Sequence, residues 1–383
     1  MLCPRRIRSG AGLRKSGMDS ERQPTTCCAG NTFEIRVIMK AEKTEYINQS
    51  DKKIKTPKKS AGVAVFWGLG LILAFVLIHH HNPLADQVTE QMKKVSGCVL
   101  ITFTCIIFTI YYERILTIPA ELFQSRKLIW KLARNDFKNR YAGSYLGIIW
   151  ATAQPIVTVV MYWIVFDKVF DTRSQMVASG LEVPYVLYLT AGLVPWFYFS
   201  EAIMQGTMAL LEYNYLVKKV VFNISILPII KVISATFIHV FFVVVLLVVS
   251  IGYGYYPNAY TLQLIYYSIC MFLLVLGMSY LTCALVVFIR DLQQIISIAL
   301  QIGMWATPIL WSITMLKTDN MKMLFKLNPL VYIVSGYRSA IYEEVWFWEH
   351  FYSSTYFWIF TISLFCIGTL IFRRMRVHFA DVL

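Results

Sequence analysis

Two stretches of the chain, Ala61 to Ile78 and Val95 to Tyr112, run without a single Asp, Glu, Lys or Arg. Tyr145 to Phe166 and Leu264 to Ile289 are longer and equally free of charge. A helix needs about 20 apolar residues to cross a bilayer core, because every backbone polar group there must be bonded within the segment. These runs read as membrane spans, not as buried core helices. Composition agrees, with 57% of the 383 residues hydrophobic and 15% charged. A soluble domain carries about a quarter of its residues charged. The expected fold class is an all-α, polytopic membrane protein.

Eight spans are expected. Two, 61–79 and 95–112, form a hairpin, and six more lie near 145–168, 184–210, 227–254, 262–289, 293–314 and 356–373. Residues 1–60 form a basic tail without apolar periodicity, expected to stay unpacked. The first ~40 residues are Arg-rich and a cleaner Lys-rich stretch follows, so Met39 is the expected biological start. The first apolar run starts only at residue 61, so a signal peptide is not expected. Lys and Arg concentrate in one set of loops: Arg114, Arg126, Lys127, Lys131, Arg134, Lys138, Arg140, Lys218, Lys219, Arg290, Arg373, Arg374 and Arg376. The alternate loops carry Lys93, Lys94, Lys168, Arg173, Lys317, Lys322, Lys326 and Arg338 over longer stretches. The positive-inside rule then puts both termini in the cytoplasm. A net charge of +14 reflects that membrane face. No groove-reading motif accompanies it, so nucleic acid is not an expected partner.

The segment 121–141 differs in kind. Lys127, Lys131, Arg134 and Lys138 fall at i, i+4, i+7 and i+11, one stripe of a helix, with Leu122, Ile129, Trp130, Ala133, Phe137 and Tyr141 on another side. This is an amphipathic interface helix, a cationic face toward headgroups and an apolar one in the acyl boundary. It serves either as an anchor or at an entrance. The segment 315–355, between the last two spans, contains Asn328-Pro329-Leu330-Val331-Tyr332-Ile333-Val334 and Arg338. That run is too short to cross, which fits re-entrant helices closing an exit path.

Glu201, Lys231 and His239 interrupt the spans, and charges at such depth face a partner, water or the bundle interior. Glu201 and Lys231 are expected to pair across adjacent antiparallel helices, or else to snorkel to the inner interface. The loop 212–222 exposes Tyr213, Asn214, Tyr215, Lys218, Lys219 and Phe222, a mixture suited to docking a cytosolic partner. The chain has no GxxxxGK[ST] phosphate loop, no GxSxG and no HExxH, so no catalytic residues are assigned. The eight cysteines form no CxxC pair or metal spacing, and His79-His80-His81 reads as a hydrated span end, so no metal is expected.

A series of motifs runs through the last two-thirds of the chain. It starts with Leu132-Ala133-Arg134-Asn135-Asp136-Phe137-Lys138-Asn139-Arg140-Tyr141 and Gly143-Ser144-Tyr145-Leu146-Gly147-Ile148-Ile149-Trp150, running into Gln154-Pro155. Gly192-Leu193-Val194-Pro195-Trp196, Leu216-Val217-Lys218-Lys219-Val220 and Arg290-Asp291-Leu292 follow, then Thr307-Pro308-Ile309, Asn328-Pro329-Leu330 and Arg338. In this order they resemble the permeases of bacterial ABC exporters of lipid-linked polysaccharides: O-antigen, capsule and teichoic acid. The chain departs from that pattern in carrying Asn223 where the family usually has a proline, and in the hairpin at 61–112, outside the family's six-span core at 145–383.

The resemblance implies a homodimer beneath which two separate ATP-binding subunits dock, carrying the ATP and Mg, with no cofactor on this chain. It implies that Tyr213, Asn214, Tyr215, Lys218, Lys219, Arg290 and Asp291 receive the push from those subunits. Arg134, Lys138 and Arg140 are placed to meet a lipid-linked phosphate. Trp150, Tyr162, Trp163, Tyr188, Trp196 and Tyr198 are candidate linings of a sugar channel, and Asn328, Pro329 and Arg338 belong to an outer gate. The alternatives are an ABC permease for a drug or lipid, and a membrane-embedded glycosyl or acyl transferase.

Overall fold

The computed structural model describes residues 59–79, 87–140, 147, 149–170, 174–176, 180–217 and 223–383. The expected tail with Met39, the pair His80-His81, the motif residues 141–146, and Lys218 and Lys219 lie outside them. The fold is helical: α1 Lys59–His79, α2 Gln87–Gln124, α3 Arg126–Arg140, α4 Ile149–Trp163, α5 Tyr185–Glu212, α6 Asn214–Val217, α7 Leu227–Gly252, α8 Gln263–Val286, α9 Leu292–Ala306, α10 Asp319–Lys326, α11 Pro329–Arg338, α12 Phe351–Met375 and α13 Phe379–Val382. A small antiparallel pair, β1 Ser174–Met176 with β2 Glu182–Pro184, leads into α5, and no sequence pattern announces it.

Seven of these helices, α1, α2, α4 with the helical turn that continues it to Phe166, α5, α7, α8 and α12, are long and apolar enough to cross a membrane. The protein is an all-α polytopic membrane protein. The expected eighth span, 293–314, is helical only in its first part. Its helix, α9, stops at Ala306. The helix rises roughly 22 Å, and the non-helical stretch from Thr307 to Ser312 carries the chain on from it. The reason is local. Pro308 disfavours the helical conformation in the residue before it. Thr307 accordingly takes an extended backbone and ends the helix.

Helix α5 is the hub, packed against α4, α7, α8, α9 and α11, with α12 against α8 on the far side. The α5–α8 contact is close because Gly206 faces Ser279: a Cβ at 206 would collide with the Ser279 Oγ. The peripheral helices behave differently. Helix α4 buries none of its residues, and α1 exposes Val65, Leu69, Leu71, Ile72 and Phe75. Apolar surface of that extent has hydrocarbon or another protein as its natural neighbour.

The amphipathic helix begins at Arg126, later than the expected 121, because residues 121–124 complete α2. Lys127, Lys131, Arg134 and Lys138 are exposed, while Ile129 and Ala133 are buried where α3 packs on α7. Trp130 and Phe137 both meet the Phe237 ring, with centroids at 5.5 and 5.3 Å.

Candidate functional site

The apolar stripe of α3 runs Ile129, Ala133, Asp136, Arg140, the same spacing as its cationic stripe. Two charged residues therefore sit on the face that packs inward, and the structure builds an ionic junction around them. Lys231 of α7, 5% exposed, reaches Asp136 Oδ1 at 2.7 Å and Glu212 Oε2 at 2.6 Å. Tyr213, one residue past α5, donates its hydroxyl to the same Asp136 oxygen and lies under the Lys231 ammonium at 4.9 Å. Arg140 donates to Glu201 Oε1 at 2.9 Å, to Asp136 Oδ2 and Ser234 Oγ at 3.4 Å, and to Gln205, which donates in turn to Glu201 at 2.7 Å. The expected pairing of Glu201 with Lys231 is corrected. Glu201 takes Arg140, and Lys231 takes Asp136 and Glu212.

Charge balance explains the arrangement. Two cations and three carboxylates meet here; Lys231 and Asp136 are buried, Arg140 and Glu201 partly so and Glu212 half-exposed, and each buried ion keeps an opposite charge within hydrogen-bond reach. Burial alone raises the Asp136 carboxyl, but Lys231, Tyr213 and Ser234 outweigh it and hold its pKa below the ordinary value. Burial, then the Asp136 charge, push the Tyr213 phenol up, so it stays a donor. Asp136 is the residue whose role sequence reasoning missed. The signal was present: it is the only acid in α3 and lies on the apolar stripe.

The loop that begins at Tyr213 is thereby bolted to α3. Asn214 and Tyr215 in α6 are exposed, and so are Arg290 and Asp291 in the turn between α8 and α9. Since α5 and α8 run parallel, these two loops share the basic end of the bundle. Arg134 and Lys138 stay exposed on α3, whereas Arg140 is committed to the junction.

At the opposite end a second construction appears. After Thr307 the chain runs non-helically to Ser312, with Thr307, Ile309 and Leu310 buried. Buried carbonyls outside a helix need donors. Tyr185 donates its hydroxyl to the Leu310 carbonyl at 3.0 Å and Tyr188 to that of Trp311 at 2.8 Å. Arg338, 6% exposed, donates to the carbonyls of Pro308 at 2.7 Å and Ile309 at 2.9 Å, its guanidinium 3.6 Å from the Tyr188 ring centre. Gly192 makes room, since a Cβ there would lie 3.0 Å from the Arg338 Nη2. Asn328 caps α11 through Leu330 N and donates to Thr307 Oγ1 at 2.9 Å. Pro329 occupies the first turn of α11, where its missing N–H costs nothing. The three residues expected at an outer gate thus converge on the non-helical wall.

The candidate channel aromatics divide. Trp150 is exposed on α4 and Tyr162 and Trp163 are partly so, but Tyr188, Trp196 and Tyr198 are buried in α5, and as linings these three are corrected. Tyr188 braces the wall, Trp196 packs over Gly303, and Tyr198 stacks on His239 at 4.4 Å. A hub helix surrounded by neighbours has no face left for a channel. His79 ends α1 with its ring on Phe75, and no cluster of metal-ligating side chains occurs among the described residues.

Comparison with known proteins agrees with this architecture. The family model described as ABC-2 type transporter matches residues 127–342, more than half of the chain. The O-antigen export system permease protein RfbA of Myxococcus xanthus is 28% identical over 225 residues, 58% of this chain and 84% of the relative. The protein of the same name from Klebsiella pneumoniae is 25% identical over 260 residues, 67% of this chain and 95% of the relative. The chain belongs to the ABC-2 type transporter family, and is a multi-pass transport permease of the inner membrane whose ATP-binding subunit is a separate protein.

Proposed function

We propose that this chain is the transmembrane half of an exporter that moves a lipid-linked polysaccharide of the O-antigen class across the bacterial inner membrane. The names of its relatives favour that substrate among those the sequence motifs allow. The observation that carries the reading is the junction of Asp136, Lys231, Glu212 and Tyr213. It ties an exposed loop at the basic end to a cationic surface helix, so a push on Tyr213, Asn214, Tyr215, Lys218 and Lys219 reaches α3 directly. The basic end is cytoplasmic, both termini lie there, and Arg290 and Asp291 offer a second point of contact. Arg134 and Lys138 stand ready to meet the (pyro)phosphate of a lipid carrier at the inner leaflet.

The passage itself lies between two copies of the chain. Helices α4 and α9 bury none of their residues, yet Gln154, Gln293, Gln294 and Gln301 are exposed on them. Amides are poor neighbours for lipid and good ones for sugar hydroxyls and water. Tyr162 of α4 approaches Met304 of α9 at 3.9 Å, so the two helices form one surface, where Trp150 and Trp163 add aromatic faces. The wall of Asn328, Pro329 and Arg338 closes its outer end.

The test is co-purification of the ATP-binding subunit with the wild-type permease and with Lys218→Glu or a deletion of 213–221. The wild type should bring the subunit down and show substrate-stimulated ATPase. Both altered proteins should lose the stimulation, and its survival in both would overturn the docking assignment.

A further inference from the structure

The hairpin of α1 and α2 precedes the region matched by the family model, which begins at residue 127. Two-thirds of this chain accounts for 95% of a relative's length, so the relatives hold almost nothing to set against the remaining third. Yet the hairpin is built into the bundle. Trp67 donates to Thr109 at 2.8 Å, joining α1 to α2. Helix α2 then follows α12 along its whole length, from Tyr352–Glu90 at 3.4 Å, through Thr104–Ser363 at 3.2 Å, to Arg373, which donates to Thr117 at 2.8 Å.

At the basic end α2 does more than pack. Arg376, past the last turn of α12, stands between two groups: Glu121 Oε1 of α2 at 3.6 Å and the hydroxyl of Ser225 at 3.3 Å. Ser225 belongs to the turn by which the 212–222 loop returns into α7, and that turn packs against α2. Glu121 is 9% exposed, and its second oxygen is buried with no hydrogen-bond partner. A carboxylate does not sustain that desolvation unless its position is held by the fold around it. Four residues later α2 passes into α3 across Ser125 alone, with Ser125 N bonded to the Glu121 carbonyl at 3.0 Å and Ile129 N to that of Ser125 at 2.9 Å. One continuous unit, α2–α3, therefore grips both legs of the loop: the outgoing leg through Asp136 and Tyr213, the returning leg through Glu121, Arg376 and Ser225.

We infer that the α1–α2 hairpin is a buttress for the loop that receives the ATP-binding subunit, with Glu121 and Thr117 as its positioning residues. The inference rests on the proposed function for the loop's role but not for its geometry. Without the hairpin, Arg376 loses its carboxylate and α3 begins at a free end. Among the described residues the return turn then keeps the Asn223 cap, the hydrogen bond from Tyr280 to the Ser225 carbonyl, and an Arg376 that no carboxylate holds in place. The stroke delivered to the loop would be dissipated in moving the turn.

Hydrogen–deuterium exchange on the purified full-length permease tests the geometry without the partner. Glu121→Gln and Glu121→Ala should raise exchange of the 223–227 amides about fivefold, as loss of one partly exposed ion pair would, and leave α5 unchanged. Thr117→Val, which removes one hydroxyl, should raise it less. The exchanged pair E121R/R376E should return protection toward wild type, which a general loosening would not. In the assembled complex, Glu121→Gln should retain the ATP-binding subunit and its basal ATPase while polysaccharide displayed at the cell surface falls by a similar factor. Wild-type exchange at 223–227 in Glu121→Gln, Glu121→Ala and Thr117→Val would overturn the buttress. A wild-type permease that retains no ATP-binding subunit would overturn the proposed function and leave the exchange result standing.

Discussion

Replacing Arg338 isolates the energetics of the non-helical wall. Its guanidinium supplies two short hydrogen bonds, to the carbonyls of Pro308 and Ile309, and covers the Tyr188 ring. Among the described residues it forms no ion pair with a carboxylate, so the carbonyl dipoles and the ring face are what hold its charge. In Arg338→Met the apolar stem remains and both carbonyls lose their donor. Each unpaired buried carbonyl costs about 1–3 kcal/mol, which makes the pair about 4 kcal/mol. Relief of the buried cation offsets part of this, leaving a net loss of about 3 kcal/mol. Arg338→Lys can keep one of the two bonds and should lose about half as much. At about 2 °C per kcal/mol, thermal unfolding in detergent should move down by roughly 6 °C for Met and roughly 3 °C for Lys. Surface polysaccharide should fall in the same order, because only the Asn328–Thr307 hydrogen bond described above would still tie the end of α9 to α11. A Met variant that melts with the wild type and exports normally would refute the account of Arg338 as the donor that makes a non-helical wall possible.

Other outcomes follow from the junction, the hub and the exposed helices. The folded pKa of Asp136 lies below its unfolded value, so the stability it lends is complete above about pH 4 and drains as pH falls through the folded value. The melting curves of wild type and Asp136→Asn should accordingly differ by about 3–5 kcal/mol at about pH 7, and the gap should close in acid. Gly206→Ala should cost about 1–3 kcal/mol by forcing a Cβ onto Ser279. Ser279→Gly in the same protein should restore most of the lost melting temperature. In a cysteine-free background, Gln301→Cys or Gln154→Cys should give an oxidative dimer in native membranes, and Leu69→Cys on α1 should not. Equal cross-linking from all three positions would remove α4 and α9 from the dimer contact.

The sequence displayed the spans because bilayer physics leaves its mark in every charge-free run, and seven of the eight expected runs are helices of spanning length. The eighth is helical only as far as Thr307-Pro308, a dipeptide visible in the sequence whose effect depends on donors supplied from α5 and α11. The cationic stripe of α3 was legible by spacing alone. Its ionic partners were not, because nothing local distinguishes Glu201 meeting Lys231 from Glu201 meeting Arg140; that choice is made by the rotation of α3 against α7, which Ile129 and Ala133 set. Likewise Tyr188, Trp196 and Tyr198 look identical in sequence to Trp150. Whether an aromatic is lining or core is decided by how many neighbours its helix has, a property of the assembled bundle.

The stretch from Thr307 to Ser312 has one mechanical corollary. Bending a continuous helix breaks rungs of its own backbone ladder, whereas here the carbonyls of 308–311 are held by phenols and a guanidinium on swivelling side chains. A shift of α9 past α5 needs only those side chains to slide or re-aim, one at a time, with the ladders on either side intact. The molecule thus carries a soft joint in an otherwise stiff wall.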